Sequence, residues 1–277
     1  MNGAGNGTGA GRLAGKTALV VGAAGGGNMG QVIARRFAWE GAKVAIAGRH
    51  KDVLDGLAEE IGGVAVPCDF TSRTSIEDMV GATDRALGGI DVAVNATGWG
   101  LLKPFLDTTD DDFDRMTILQ LQGPFRFLQA LIPVMERGGG GSIIQISSAT
   151  ATIMFHDHAA YMATKAGADH LIRTVANEFG HLGIRANSIS PGVTETPMTA
   201  EAQAVPGLME AFIKGYPLGR YGTSDDIAAG CVFLASDECF MTGQNLQVNG
   251  GLTLRANPSK ADIESSIQTA LQCEGRS

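Results

Sequence analysis

The chain has 277 residues, 44% hydrophobic and 18% charged, with a formal net charge of −8. That balance belongs to a globular protein with a sizeable core and excludes a disordered one, and the acidic surplus argues against nucleic acid as a partner, which needs a basic surface. Cys68, Cys231, Cys239 and Cys273 stand far apart with no CxxC, so reduced thiols in a cytoplasmic protein are expected rather than a zinc site or a disulfide framework; no apolar run reaches membrane-spanning length.

In chain order, residues 1–13 are Gly-rich and are read as a flexible tail, without the apolar core of a signal peptide. "TALVVG" (17–22) then opens an alternation of short apolar runs and longer helical patterns, with a Gly-rich turn, a helix near 30–40 and the strand "KVAIAG" (43–48) coming at once. The strand-turn-helix setting matters more than the glycines themselves. In it, Gly22, Gly26 and Gly30, with Asn28 and Met29 beside them, let the backbone approach a pyrophosphate, which the free N–H groups and positive end of the helix attract. An acidic residue closing the second strand would bind the adenosine ribose hydroxyls and repel a 2′-phosphate. The chain has Arg49 and His50 after Gly48 instead. A small residue followed by a guanidinium suits a 2′-phosphate, so NADP(H) is the expected cofactor and NAD(H) the alternative.

Helices are then expected near 51–61, 73–87, 110–137, 159–181 and 223–235, alternating with the strands "VAVPC" (64–68), "DVAVN" (91–95), "SIIQIS" (142–147), "IRANSIS" (184–190) and "NLQV" (245–248). Strands that are apolar almost throughout are buried on both faces. The pattern therefore predicts one doubly wound parallel sheet with helices on both sides, a Rossmann-type α/β fold over 14–254. Residues 194–222, carrying Met198, Met209, Phe212 and Tyr216 among prolines, are read as a lid over an apolar ligand. In the extension 255–277, Ile263, Ile267, Ala270 and Leu271 fall at helical spacing after a Ser259 cap, a stripe that must dock on its own subunit or on a neighbour.

Tyr161 and Lys165 sit four residues apart in the helix expected over 159–181, on the same face one turn apart, so an ammonium can lie close to a phenol. Before them, Ile153, Met154 and Phe155 join Trp99, Met198 and Phe212 as candidates to face an apolar substrate. "HDH" at 156–158 is read as a polar loop, and no metal is expected.

Taken in order, the motifs resemble those of the short-chain dehydrogenase/reductase family across about 14–254. They are the Gly-rich turn, "CDF" at 68–70, "NATG" at 95–98 in place of the usual NNAG, Ser148 thirteen residues before Tyr161 with Lys165, and "SPGVTETPM" at 190–198. "LASDECFMTGQNLQVNGG" at 234–251 is similar to the end of the family's sheet. The resemblance implies that Asp69 and Phe70 contact adenine, that Asn95, Ala96, Thr97 and Gly98 line the cofactor, and that Pro191, Gly192, Val193 and Thr196 shape the nicotinamide end. It implies Tyr161 as general acid for ketone reduction and base in reverse. Lys165 would hold the ribose and, with the positive nicotinamide of the oxidised complex, lower the phenol pKa from about 10 toward neutrality, and Ser148 would donate to the substrate oxygen. The expected activity is NADP(H)-dependent interconversion of a ketone and a secondary alcohol on a small to medium hydrophobic substrate. Its implied setting is a homotetramer with no nucleic-acid or membrane partner.

Two departures from the family pattern carry alternatives. Gly22 and Gly30 are eight residues apart where the family turn spans six, and His158 fills the more distant tyrosine position of the enoyl-thioester reductase branch. The turn length suggests reduction of an activated C=C bond as an alternative, while the histidine in place of that tyrosine and the Tyr161–Lys165 spacing favour carbonyl reduction. Gln120 stands where the family commonly has Asn, an amide that kinks the helix, holds a water and links the lysine to solvent protons. It keeps the same donor and acceptor on one more methylene, which makes it a candidate catalytic residue and leaves a weakly catalytic, dinucleotide-sensing protein as the other alternative.

Overall fold

The computed structural model describes residues 11–274. In chain order it contains β1 (Thr17–Val21), α1 (Met29–Trp39), β2 (Lys43–Gly48), α2 (Lys51–Ile61), β3 (Val64–Pro67), α3 (Arg73–Leu87), β4 (Val92–Asn95), α4 (Asp110–Thr117), α5 (Gly123–Arg137), β5 (Gly141–Ile146) and α6 (Ala159–Phe179). β6 (Ile184–Pro191), β7 (Thr194–Glu195), α7 (Ala200–Gln203), α8 (Leu208–Ile213), β8 (Gly222–Thr223), α9 (Ser224–Ala235), β9 (Asn245–Val248) and α10 (Lys260–Glu274) complete it. Seven strands form one parallel sheet in the order β3-β2-β1-β4-β5-β6-β9.

The apolar strands are buried on both faces because successive side chains point to opposite sides of a sheet. Along β1, Ala18 and Val20 join a core under α1 and α9, while Leu19 and Val21 join a second core under α3, α5 and α6. Val44 and Ile46 of β2 likewise face the first core, and Ala45 and Ala47 the second. Strand order reverses between β1 and β4, which leaves a crevice beyond their carboxyl ends.

The structure corrects two sequence-based boundaries. Leu13, assigned to the flexible tail, is fully buried, and its N–H donates to Glu40 O at 3.0 Å, so the domain begins earlier; residues 1–10 lie outside the described residues. The single helix expected over 110–137 is broken by a π-helical turn at Ile118–Gln122, where the Gly123 N–H donates to Ile118 O. Pro124 lacks the N–H that an unbroken α-helix would direct at Gln120 O, which favours the wider turn there. The excursion after β6, read from the sequence as a lid, carries secondary structure of its own. The parallel β7-β8 pair closes its base, and α7 and α8 occupy it.

Ser259 caps α10 as expected: the Asp262 N–H donates to Ser259 Oγ at 3.2 Å, while the Ser259 N–H donates to Asp262 Oδ2 at 2.9 Å. The helix docks on α8 of its own chain, with Ile263, Ile267 and Ala270 half-buried and Leu271 exposed. Cys68, Cys231 and Cys239 are buried free thiols and Cys273 is an exposed one. No helix among the described residues is long and apolar enough to cross a membrane.

Candidate active site

A cavity of about 830 Å³ opens in the crevice at the switch point of the sheet. One end is built by the turn after β1. Gly22 adopts φ 95°, and a Cβ there would stand 2.7 Å from the Ala96 carbonyl carbon, so only a glycine lets the two loops meet. Asn28 organises the long turn next to it: its Nδ2 donates to Gly22 O at 2.8 Å and its Oδ1 accepts from the Gln31 N–H at 3.0 Å, capping α1. Ala24 and Gly25 line the cavity with Gly22, Asn28, Met29 and Gly30. Gly26 does not; it sits exposed at the tip of the longer turn, and Gly25 takes its place on the wall.

Gly48, Arg49 and His50 continue from β2 along the wall, with Cys68, Asp69, Phe70 and Thr71 beside them. The Asp69 carboxylate accepts from Thr71 Oγ1 at 2.7 Å and from the Thr71 N–H at 3.0 Å. Those bonds, with a smaller contribution from the Arg49 guanidinium, hold it below the usual carboxylate range. Ala96, Thr97 and Gly98 line the cavity, but Asn95 is buried behind them. Its Oδ1 accepts from Thr97 Oγ1 at 2.7 Å and from the Thr97 N–H at 3.1 Å, and its Nδ2 donates to Gln145 Oε1 at 2.9 Å. Asn95 therefore shapes this loop from within.

At the other end Ser148, Tyr161 and Lys165 share the wall with Pro191, Gly192, Val193 and Thr196. Lys165 Nζ donates to Ile146 O at 2.9 Å and lies 5.5 Å from the centre of the Tyr161 ring. Tyr161 keeps a partly exposed edge toward the cavity, but its surroundings are mostly protein, and this burial raises its phenol above the ordinary value. Ser148 acts in the opposite direction. Burial thus dominates the phenol, and the ammonium rests over the ring while bonded to the Ile146 carbonyl. Ser148 Oγ is 2.9 Å from Thr150 Oγ1. His158 stacks on Tyr161 with ring centres 4.3 Å apart. Its Nδ1 is 2.9 Å from Leu101 O, so Nδ1 carries the proton, and burial holds the imidazole below its ordinary pKa.

Burial pushes Lys165 down from 10.5 to about 8, and the nearby Asp169 partly opposes this. Asp169, one turn further along α6, is itself buried; its Oδ2 accepts from Asn245 Nδ2 at 2.7 Å and Ser147 Oγ at 2.8 Å. The folded lysine has the lower pKa, so the unfolded chain binds more protons between about pH 8 and pH 10.5, and this group's contribution to stability rises with pH through that window. Urea midpoints of the unliganded parent and of Lys165→Met, compared from about pH 7 to pH 10, are expected to show the parent gaining on the variant as pH rises.

Gln120 sits in the π-turn, 2% exposed, with Nε2 on Met116 Sδ and 3.4 Å from Thr164 Oγ1. Its Oε1 has no partner, and a Cβ built on Gly98 would lie 3.4 Å from it and 3.7 Å from Lys165 Nζ. An unsatisfied buried acceptor thus stands on the same side of Gly98 as the lysine.

The family model described as enoyl-(acyl carrier protein) reductase matches residues 22–253. D-threitol dehydrogenase of Mycolicibacterium smegmatis is 36% identical over 250 residues, covering 88% of this chain and 95% of that one. The chain belongs to the short-chain dehydrogenase/reductase family. Among solved members, a 7α-hydroxysteroid dehydrogenase complexed with NADH and 7-oxo glycochenodeoxycholic acid has a TM-score of 0.82 at 33% identity, covering 89% of this chain and 96% of that one. A gluconate 5-dehydrogenase from Burkholderia cenocepacia J2315, in complex with NADP and tartrate, has a TM-score of 0.84 at 29% identity, covering 88% and 98%. The present chain is accordingly a short-chain dehydrogenase/reductase oxidoreductase.

Among the residues expected to face substrate in this oxidoreductase, the structure separates one from the rest. Trp99 lines the cavity with Arg115 Cζ 4.9 Å above its ring. Ile153, Phe155 and Phe212 do not: with Tyr216, Leu252 and Ile263 they form a third apolar cluster, in which the Phe155 and Phe212 ring centres lie 5.5 Å apart. Met154 is 69% exposed, and the Met198 side chain lies outside those described. Sequence reasoning missed Arg115, Ile118 and Leu119, which also line the cavity. Their one signal was proximity to Gln120 in the chain. His156, Asp157 and His158 diverge, with Asp157 paired to Lys260 at 2.6 Å and His158 bonded to Leu101.

Proposed function

We propose that this protein interconverts a ketone and a secondary alcohol on a small to medium hydrophobic substrate, using NADP(H) in preference to NAD(H). The observation that carries the reading is the meeting of Ser148, Tyr161 and Lys165 on one wall of a cavity whose opposite end is the Gly22 turn. A nicotinamide dinucleotide fits the residues present. The Gly22 cradle, which any Cβ would fill, and the capped start of α1 suit its pyrophosphate, while Arg49 suits a 2′-phosphate. The cofactor, when bound, gives or takes hydride at the substrate carbon.

The residues of the chain manage the proton. Tyr161 donates its phenolic proton to the carbonyl oxygen as the carbon is reduced and recovers one in the reverse direction. Ser148 donates a hydrogen bond to the same oxygen and stabilises its developing charge. Lys165, cationic below about pH 8, offers its remaining N–H groups to the nicotinamide ribose and its charge to the tyrosinate. Gln120 Oε1, buried without a partner, supports a role as acceptor for a water that resupplies the lysine side of the site. Exposed Phe105, Leu106, Phe113 and Phe125, on and around α4 and α5, are consistent with the homotetramer that family resemblance implies.

The test follows absorbance of NADPH against apolar ketones, 3-oxoacyl thioesters and enoyl thioesters. Consumption with ketones supports the reading. Consumption with enoyl thioesters alone would favour C=C reduction, the reading to which the long turn lends support. Tight binding without turnover would favour a sensing role. For cofactor choice, Arg49→Asp is expected to shift the NADPH-to-NADH ratio of Kd by about 10- to 100-fold toward NADH, the loss of a charge-assisted bond worth about 1.5–3 kcal/mol. Fluorescence titration of both cofactors checks it, and an unchanged ratio rejects Arg49 as the discriminating group.

A further inference from the structure

The family match ends at residue 253, and residues 255–274 touch two segments that neighbour cavity-lining residues, the loop 153–158 and the stretch 207–216. Asn257 Nδ2 donates to Met154 O at 3.1 Å, and Lys260 Nζ pairs with Asp157 Oδ2 at 2.6 Å. Both contacts fall on the loop that leads into His158 and Tyr161. Asp157 has φ 58°, the one positive φ outside glycine among the described residues, and its carbonyl accepts from the Lys103 N–H at 2.7 Å. A strained residue persists where its surroundings over-determine it, and here Lys260 grips its side chain.

The same extension grips the excursion between β7 and β8. Ile263 packs into the third apolar cluster with Phe155, Phe212 and Tyr216, and Arg255 Nη1 donates to Lys214 O at 3.0 Å. Gly207, at the start of α8, lies against the Ser266 carbonyl so closely that a Cβ has no room. Tyr216 carries the contact inward: its Oη accepts from the Val193 N–H at 2.6 Å, and Val193 lines the cavity. One segment thus holds the loop 153–158 on one side and α8 on the other, and each leads directly to a cavity residue.

We propose that residues 255–274 are an intramolecular clasp that sets the shape of the substrate end, making Asn257, Asp157 and Lys260 specificity-determining positioning residues. The proposal rests on the ketone-reductase reading for the substrate it selects, but not for the contact itself. The clasp opposes displacement of the Phe155–Phe212 cluster, so a bulky apolar ketone enters against it and a small one does not.

Two disrupting full-length variants, Asn257→Ala/Lys260→Ala and Asp157→Asn, and one conservative variant, Lys260→Arg, test this; asparagine tolerates the left-handed backbone while losing the charge. Amide hydrogen exchange over 153–158 and 208–216 is expected to quicken by about tenfold in each disrupting variant, with β5 unchanged, because local opening is what the clasp resists. NADPH Kd is expected to stay within about twofold, and the ratio of KM for a bulky against a small ketone to change by about fivefold at similar kcat for the small one, with Lys260→Arg keeping the parent ratio. Unchanged exchange in both segments overturns the clasp whether or not any ketone is turned over. Faster exchange with an unchanged KM ratio overturns its role in specificity. Exchange that behaves as expected in a protein that reduces no ketone leaves the clasp standing and removes the ketone-reductase reading alone.

Discussion

Tyr161→Phe is expected to lower kcat/KM for ketone reduction by about 10²- to 10⁴-fold, the usual contribution of a positioned proton donor, while NADPH Kd stays nearly unchanged. The change removes one oxygen from a ring that packs against His158 and beneath Lys165, and phenylalanine keeps the ring. Stability should therefore hold or rise slightly, since a partly desolvated hydroxyl is lost. Steady-state kinetics with fluorescence titration separate the two quantities. A variant that keeps turnover within a few-fold of the parent would move the proton-donor role elsewhere, and His158, stacked on the same ring, would be the group to replace next.

Gly22→Ala should abolish dinucleotide binding in the accessible range and lower stability by about 3 kcal/mol, combining a left-handed backbone with overpacking. At φ 95° a side chain is strained whatever the space, and here its Cβ would meet the backbone of Ala96 and Thr97 within 3 Å. The methyl group must push the turn after β1 away from the loop after β4, and both loops wall the cavity. For a chain of this size the melting temperature is expected to fall by about 6–12 °C. Gly26→Ala is the matched control, because a Cβ there meets open space and the residue stands off the wall. Equal losses in both variants would mean that the turn tolerates no side chain anywhere and that the cavity contact at Gly22 is not special.

Much of the fold was legible because it depends on periodicity. Runs such as "TALVV" are apolar at every position only when both faces of a strand are covered, and the helical spacing between them left little choice but a doubly wound sheet. Tyr161 and Lys165 were legible for a similar reason: four residues on a helix make one turn, and the turn survives whatever packs around it. The π-turn at Ile118–Gln122 was less visible, although Pro124 and Gly123 marked its place, because an apolar pattern continues through it.

Other features depended on neighbours distant in the chain. Asn95 looks like a cofactor contact in sequence and is instead the buried brace of Thr97, because Gln145 from β5 meets it behind the loop. Ile153, Phe155 and Phe212 have the composition of a substrate wall, but they pack against one another and Ile263, burying apolar surface that an open cavity would leave to water. The phenol of Tyr161 rises and the ammonium of Lys165 falls because desolvation is a property of everything within reach, not of spacing along one helix.

Sequence by itself determined the sheet, the Gly-rich turn, the Tyr161–Lys165 pair and a helical extension with an apolar stripe, all set by local geometry repeating along the chain. Tertiary structure decided which glycine faces the cavity, which apolar side chains leave it, what Asn257 and Lys260 hold, and how burial shifts the charged groups. Those outcomes depend on distances between segments far apart in sequence, where packing and desolvation, not periodicity, set the energy.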